Sequence, residues 1–198
     1  YNFEEDIIAS AKTICKRYKG NQAHAEYLEQ MAGKFFDLLQ KYHGLGERER
    51  LLLRLAAILH DCGKFISMSA PGECAYQIIM STEILGISHM EREMVASIVR
   101  YNTMELPNFN EFDGKLGNDE YLIVMKLAAI LRVCNALDRS HRQKFADMKL
   151  TIKDSNIVIT TAYPDNITLE KKTLQDEQDF FEEVYGLGFE IKQKKKKQ

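Results

Sequence analysis

The sequence has no CxxC pair, no apolar run of membrane length and no large surplus of either charge. Each lack excludes something. Cys15, Cys62, Cys74 and Cys134 lie among helical patterns, so they read as reduced thiols of a cytoplasmic protein, not as a disulfide framework. No uninterrupted apolar run exceeds Leu55–Leu59, far short of the roughly 20 residues of a membrane-spanning helix, and no membrane partner is expected. A formal net charge of -2 gives no general attraction to duplex nucleic acid or acidic lipid. No basic-apolar-small signal pattern opens the chain, whose first residue is Tyr1 rather than Met, as in a piece of a longer protein. Internal repeats are lacking too.

What is present is a core. With 198 residues, 45% of them apolar, the chain suffices for one large domain, or a domain and a small appendage. Helical period dominates as far as Arg139. Phe3, Ile7, Ala11, Ile14 and Tyr18 form one stripe, and Leu28, Met31, Phe35, Leu38 and Tyr42 another after a cap at Asn21. Further helices are expected over 47–62, 73–85 and from Ser88, which with Glu91 makes a capping box. Residues 103–117, with Pro107, Asn108, Asp113 and Gly114, read as a loop before a long helix capped by Asn118. Near Asp147 the period changes to two. Leu150 and Ile152, then Ile157 and Ile159, flank a turn at Asp154-Ser155-Asn156, a hairpin signal. Ile167 and Leu169 suggest a third strand, Leu174–Tyr185 a helix, and Phe189 with Ile191 a last strand. The expected fold is mainly α: a helical bundle over 1–145, then a small α+β subdomain over 146–198 with a solvated lysine tail, Lys192–Lys197.

His60 and Asp61 end an apolar helix in the string Ala56-Ala57-Ile58-Leu59-His60-Asp61-Cys62-Gly63-Lys64. Two polar residues where a helix stops and the backbone bends at Gly63 can turn toward one point. Alone, the pair could be a capped helix end with a surface acid. However, His24 shares the inward stripe of Leu28, Met31, Phe35 and Leu38, and Asp138 that of Leu127, Leu131 and Cys134. A carboxylate on a buried face is costly unless paired or bound to a cation. One metal ion would satisfy His24, His60, Asp61 and Asp138 together. Two imidazoles and two carboxylates suit Mn, Fe, Co, Ni or Zn, with Mg admissible. Open positions on such an ion would serve metal-assisted hydrolysis of a phosphate ester or anhydride, with Asp61 also orienting water. Lys64 would neutralise phosphate or hold a ligand carboxylate; its alternative is a cation at a helix C-terminus. Arg139 and Arg142 would grip phosphate by their fork geometry, or else form a solvated helix end. His141 reads as structural or exposed, His89 as a helix first-turn residue and His43 as a helix-end residue.

The order His, His-Asp with Gly63 and Lys64, then a distant Asp resembles the HD superfamily of metal-dependent phosphohydrolases. The wider text is more specific. Leu55–Asp61, Gly86-Ile87-Ser88 with Glu91, Ala136-Leu137-Asp138-Arg139-Ser140-His141 and Asp179–Gly186 resemble the C-terminal part of the exopolyphosphatase/guanosine pentaphosphate phosphatase family. The resemblance implies action on polyphosphate, pppGpp or a nucleotide. It also implies an N-terminal half of actin-like ATPase fold, whose glycine-rich phosphate-binding turns do not occur here. In that light the chain is either a metal-dependent phosphohydrolase or a non-catalytic module that guides a long anionic substrate and forms a homodimer. Cys74 stands where the family pattern has His, and Tyr101-Asn102-Thr103 where it often has Tyr-His-Arg. Both changes bear against a second metal site or an extra phosphate contact.

Overall fold

The apolar stripes become helices. The computed structural model describes residues 3–112 and 115–194. Helix α1 spans Phe3–Arg17 and α2 Gln22–Leu38, with Asn21 at the N-cap accepting the His24 N–H. A short α3 (Gln40–His43) follows and ends at Gly44, whose φ of 66° is the left-handed conformation glycine takes without strain. Helix α4 (Glu47–Leu59) is the centre of the bundle. Its residues Leu51–Leu53 and Leu55–Leu59 are all buried, against α1 and α2 and against two later helices, α6 (His89–Arg100) and α7 (Asn118–Leu137). A helix apolar nearly all round is one enclosed all round, and each fully buried leucine or isoleucine contributes about 1.5–3 kcal/mol.

The order of the helices follows the sequence reading, and the boundaries shift. Helix α5 is Pro71–Ser81 rather than 73–85, since Pro71 is pre-set for a first helical turn and Thr82 is extended. The Ser88–Glu91 capping box at the start of α6 is present. Gly117, not Asn118, occupies the N-cap of α7. Within the expected loop 103–117 a single 3-10 turn forms at Phe109–Glu111; Asp113 and Gly114 lie outside the described residues. No helix is long and apolar enough to cross a membrane among the described residues.

After α7 the chain forms β1 (Lys149–Lys153) and β2 (Asn156–Thr161), an antiparallel hairpin pairing Lys153 with Asn156. Asp154 and Ser155 both have positive φ, as a two-residue hairpin turn requires. Helix α8 (Thr168–Tyr185) then crosses over to β3 (Gly188–Gln193), which lies parallel to β2. Ile167 and Leu169 form no strand. Ile167 and Leu174 are buried one face apart by a helical interval of seven, while Leu169 is about half exposed. Their alternation is an accident of helical spacing. Lys192 belongs to β3, and residues 195–198 of the expected tail lie outside the described residues. One apolar core runs from α1 through α7 to Phe145, Ile157, Ile159 and Phe181.

Candidate functional site

Helix α2 packs on both α4 and α7, and this sets three helix ends together. His24 projects from the first turn of α2, His60 and Asp61 follow the last turn of α4, and Asp138 caps α7. His24 and Asp138 are almost wholly buried, and His60 and Asp61 nearly so. The turn at His60-Asp61 depends on Gly63. A Cβ there would lie 2.0 Å from the Pro71 carbonyl oxygen and 2.6 Å from the Ala75 nitrogen, so the backbone itself fills the space. Glycine is needed for close approach of the first turn of α5.

Hydrogen bonds fix the tautomers. His60 Nδ1 lies 2.6 Å from the Ala57 carbonyl oxygen, which only accepts, so Nδ1 carries the proton. His24 Nδ1 lies 2.6 Å from Asp138 Oδ2 and donates to it. Both Nε2 atoms are therefore lone-pair acceptors in the neutral rings, and they face each other at 3.0 Å. Asp61 joins them, with Oδ1 3.2 Å from His60 Nε2 and Oδ2 3.9 Å from His24 Nε2. Two lone pairs and a carboxylate this close repel one another unless a positive charge sits among them. Two nitrogens bound at right angles to one ion at about 2.1 Å stand about 3 Å apart, so the spacing suits a divalent cation. Burial alone would raise the Asp61 pKa. The hydrogen bond and charge of a protonated His60, the form that takes the place of a cation when none is bound, together with Lys64 Nζ at 2.8 Å, outweigh it and hold the carboxyl well below the usual carboxylate range.

All four residues expected as ligands thus converge. Asp138, however, meets the group from behind His24. Its Oδ1 accepts the Gln143 N–H at 2.8 Å, and its Oδ2 also accepts Gln143 Nε2 at 3.2 Å. Lys64 touches the site through Asp61. Arg139 and Arg142 are exposed and make no hydrogen bond or ion pair among the described residues. Cys74 is on α5 and lines an apolar groove with Tyr18, Ile66 and Ile78.

His141, expected from the sequence to be structural or exposed, stacks its ring on His24 with centroids 3.8 Å apart and planes 16° from parallel. Burial lowers its pKa from the ordinary 6.5. Its left-handed backbone, φ 56°, and that of Gln143, φ 51°, bend the chain back over Asp138. The place of His141 three residues beyond Asp138 was the available signal; the bend has none.

Over residues 8–178 the sequence matches the family described as Ppx/GppA phosphatase, domain III. Among curated proteins it is similar to guanosine-5'-triphosphate,3'-diphosphate pyrophosphatase of Vibrio atlanticus (strain LGP32). The two are 23% identical over 164 residues, which cover 79% of this chain and 31% of that protein. The chain spans about a third of the length of this relative.

Proposed function

The chain belongs to the Ppx/GppA phosphatase domain III family, and on that premise we propose that it is an HD-type, divalent-cation-dependent phosphohydrolase domain. Its substrate class is a phosphoanhydride: polyphosphate, pppGpp or a nucleotide. The observation that supports this reading is the pair of Nε2 atoms of His24 and His60, 3.0 Å apart beside Asp61, with each ring's Nδ1 already committed as a donor. His24, His60 and Asp61 would hold the ion, and Asp138 would fix His24 by taking its Nδ1 proton. A bound divalent ion supplies positive charge against a phosphoryl group and acidifies water. Asp61, anionic and with about a tenth of its side chain still exposed, is placed to orient that water. Lys64, ion-paired to Asp61 and more than a third exposed along its side chain, brings a cation within reach of phosphate. Arg139 and Arg142 are free on the surface to contact an extended anionic substrate.

A second reading has one observation in its favour. The pyrophosphatase named above is about three times the length of this chain, so its chemistry can reside elsewhere. The chain would then be a module that guides polyphosphate to that chemistry and mediates dimerisation.

The test is metal analysis of the purified chain, with turnover assays on polyphosphate, pppGpp and nucleotides in Mn and in Mg. The enzyme reading expects cation-dependent release of phosphate that collapses in Asp61→Ala. Cation uptake without turnover on any substrate leaves the module reading.

A further inference from the structure

We propose that His141 is a substrate-binding residue, whose imidazole Nε2–H donates a hydrogen bond to a phosphate oxygen beside the cation site. The inference rests on the metal reading above and adds a residue that the expected ligand set leaves out.

Polar atoms of His24, Asp61 and His141 all lie within 4.8 Å of one another, which at first suggests a third nitrogen ligand. The stacking argues otherwise. An imidazole binds an ion through a lone pair in its own ring plane, at about 2 Å. The ring of His141 lies parallel to that of His24 to within 16°, at a centroid distance of 3.8 Å. Atoms in van der Waals contact stand about 3.5–4 Å apart, so an ion in the plane of His24 lies roughly 3 Å off the plane of His141. One ion cannot take an in-plane bond from both rings.

Asn21 then decides the tautomer. Its Oδ1 is committed as the N-cap acceptor of the His24 N–H at 3.1 Å, so the other end of its amide is the NH2 group. That group lies 3.4 Å from His141 Nδ1 and can only donate. Nδ1 is therefore the acceptor, and the ring proton of the neutral form sits on Nε2. Nε2 has no hydrogen-bond partner among the described residues, and the residue is only half buried.

The backbone is arranged around this placement. His141 and Gln143 both adopt the left-handed region, which costs a residue with a Cβ of order 1–3 kcal/mol and persists where the surroundings over-determine it. Here the His141 N–H donates to the Asp138 carbonyl at 2.9 Å, and the Gln143 N–H to Asp138 Oδ1 at 2.8 Å. The same aspartate that orients His24 thus also positions His141. The result is an N–H donor stacked flat on a ligand ring, with Lys64 and the cation position nearby. Phosphate is the ligand such a group suits, since all its oxygens accept.

Calorimetric titration of the whole chain tests this, first with Mn2+ and then, on the Mn2+-saturated protein, with inorganic phosphate. His141→Ala is expected to keep Mn2+ affinity within about twofold and to weaken phosphate binding about tenfold. His141→Gln, whose amide reaches the Nε2 position, is expected to regain most of the loss, and His141→Asn, which falls short of it, to stay weak. Should His141→Ala fail to fold, the Gln and Asn variants carry the same comparison. A loss of Mn2+ affinity beyond tenfold in these variants makes His141 a ligand and overturns the proposal, as does unchanged phosphate binding. Failure of the wild type to take up Mn2+ overturns the metal reading and this proposal with it, a result distinct from the other two.

Discussion

His24 Nδ1 and Asp138 Oδ2 meet at 2.6 Å, and this contact determines which nitrogen of His24 faces His60. Asp138 can serve His24 and the Gln143 N–H at once because both its oxygens accept. An amide has one acceptor and one donor. Asp138→Asn must therefore either abandon the Gln143 N–H or turn its NH2 to His24, which drives the ring proton onto Nε2, where a cation would bind. We expect Mn2+ affinity to fall about 10–100-fold, the usual effect of removing a partner behind a ligand histidine, with the far-ultraviolet circular dichroism unchanged. Equal affinity in the two proteins would remove Asp138 from the site.

Gly63→Ala is expected to destabilise the chain. The new methyl would overlap backbone atoms of Pro71 and Ala75, which move only with α5 itself. The cost is about 1–3 kcal/mol, as for other overpacked sites, measured as a lowered denaturation midpoint. Because the turn that carries His60 and Asp61 must shift, Mn2+ affinity should drop as well. A variant as stable as the wild type would show that the two backbones are not in contact.

A buried ion pair joins the sheet region to α8. Glu170 is fully buried and the Lys144 side chain is only 10% exposed, with Nζ 3.2 Å from Oε2 and 2.8 Å from the Asn166 carbonyl. Lys144→Met leaves a buried carboxylate without its cation and should cost about 3–5 kcal/mol. The double variant Lys144→Met, Glu170→Leu removes both charges and should recover much of that loss. Urea denaturation of the three proteins checks it: a double variant no more stable than the single one contradicts the account.

His43 should make stability depend on pH. It is buried, its Nε2–H donates to the Phe36 carbonyl at 2.9 Å, and its Nδ1 accepts the Leu45 N–H at 2.9 Å, so the fold holds the neutral ring. Burial, reinforced by the charge of Lys126 and opposed by the Phe36 carbonyl, lowers its pKa below the ordinary 6.5. Below pH 6.5 the unfolded chain takes up a proton that the folded chain refuses, so stability falls as pH drops toward the folded pKa. Above 6.5 neither state binds it and this contribution is constant. His43→Gln should show a shallower loss of stability than the wild type between about pH 5 and 7. Parallel curves for the two proteins would count against this role.

The sequence by itself determined the helical architecture, because a 3.6-residue apolar period demands a buried face whatever the neighbours are. It also pointed to the burial of His24 and Asp138, since both lie on inward stripes, where polar groups need partners. Tertiary structure decided the rest. Whether Ile167 starts a strand or caps α8 depends on which elements it packs against. Which nitrogen of each histidine is free depends on the Ala57 carbonyl and on Asp138, groups placed by the chain's path and by helix packing. His141 comes to lie on His24, more than a hundred residues away in sequence, only because Asp138 holds two left-handed residues in a bend. Periodicity reports which face a residue occupies. It carries no information about the direction of a lone pair, which here depends on groups brought together by packing.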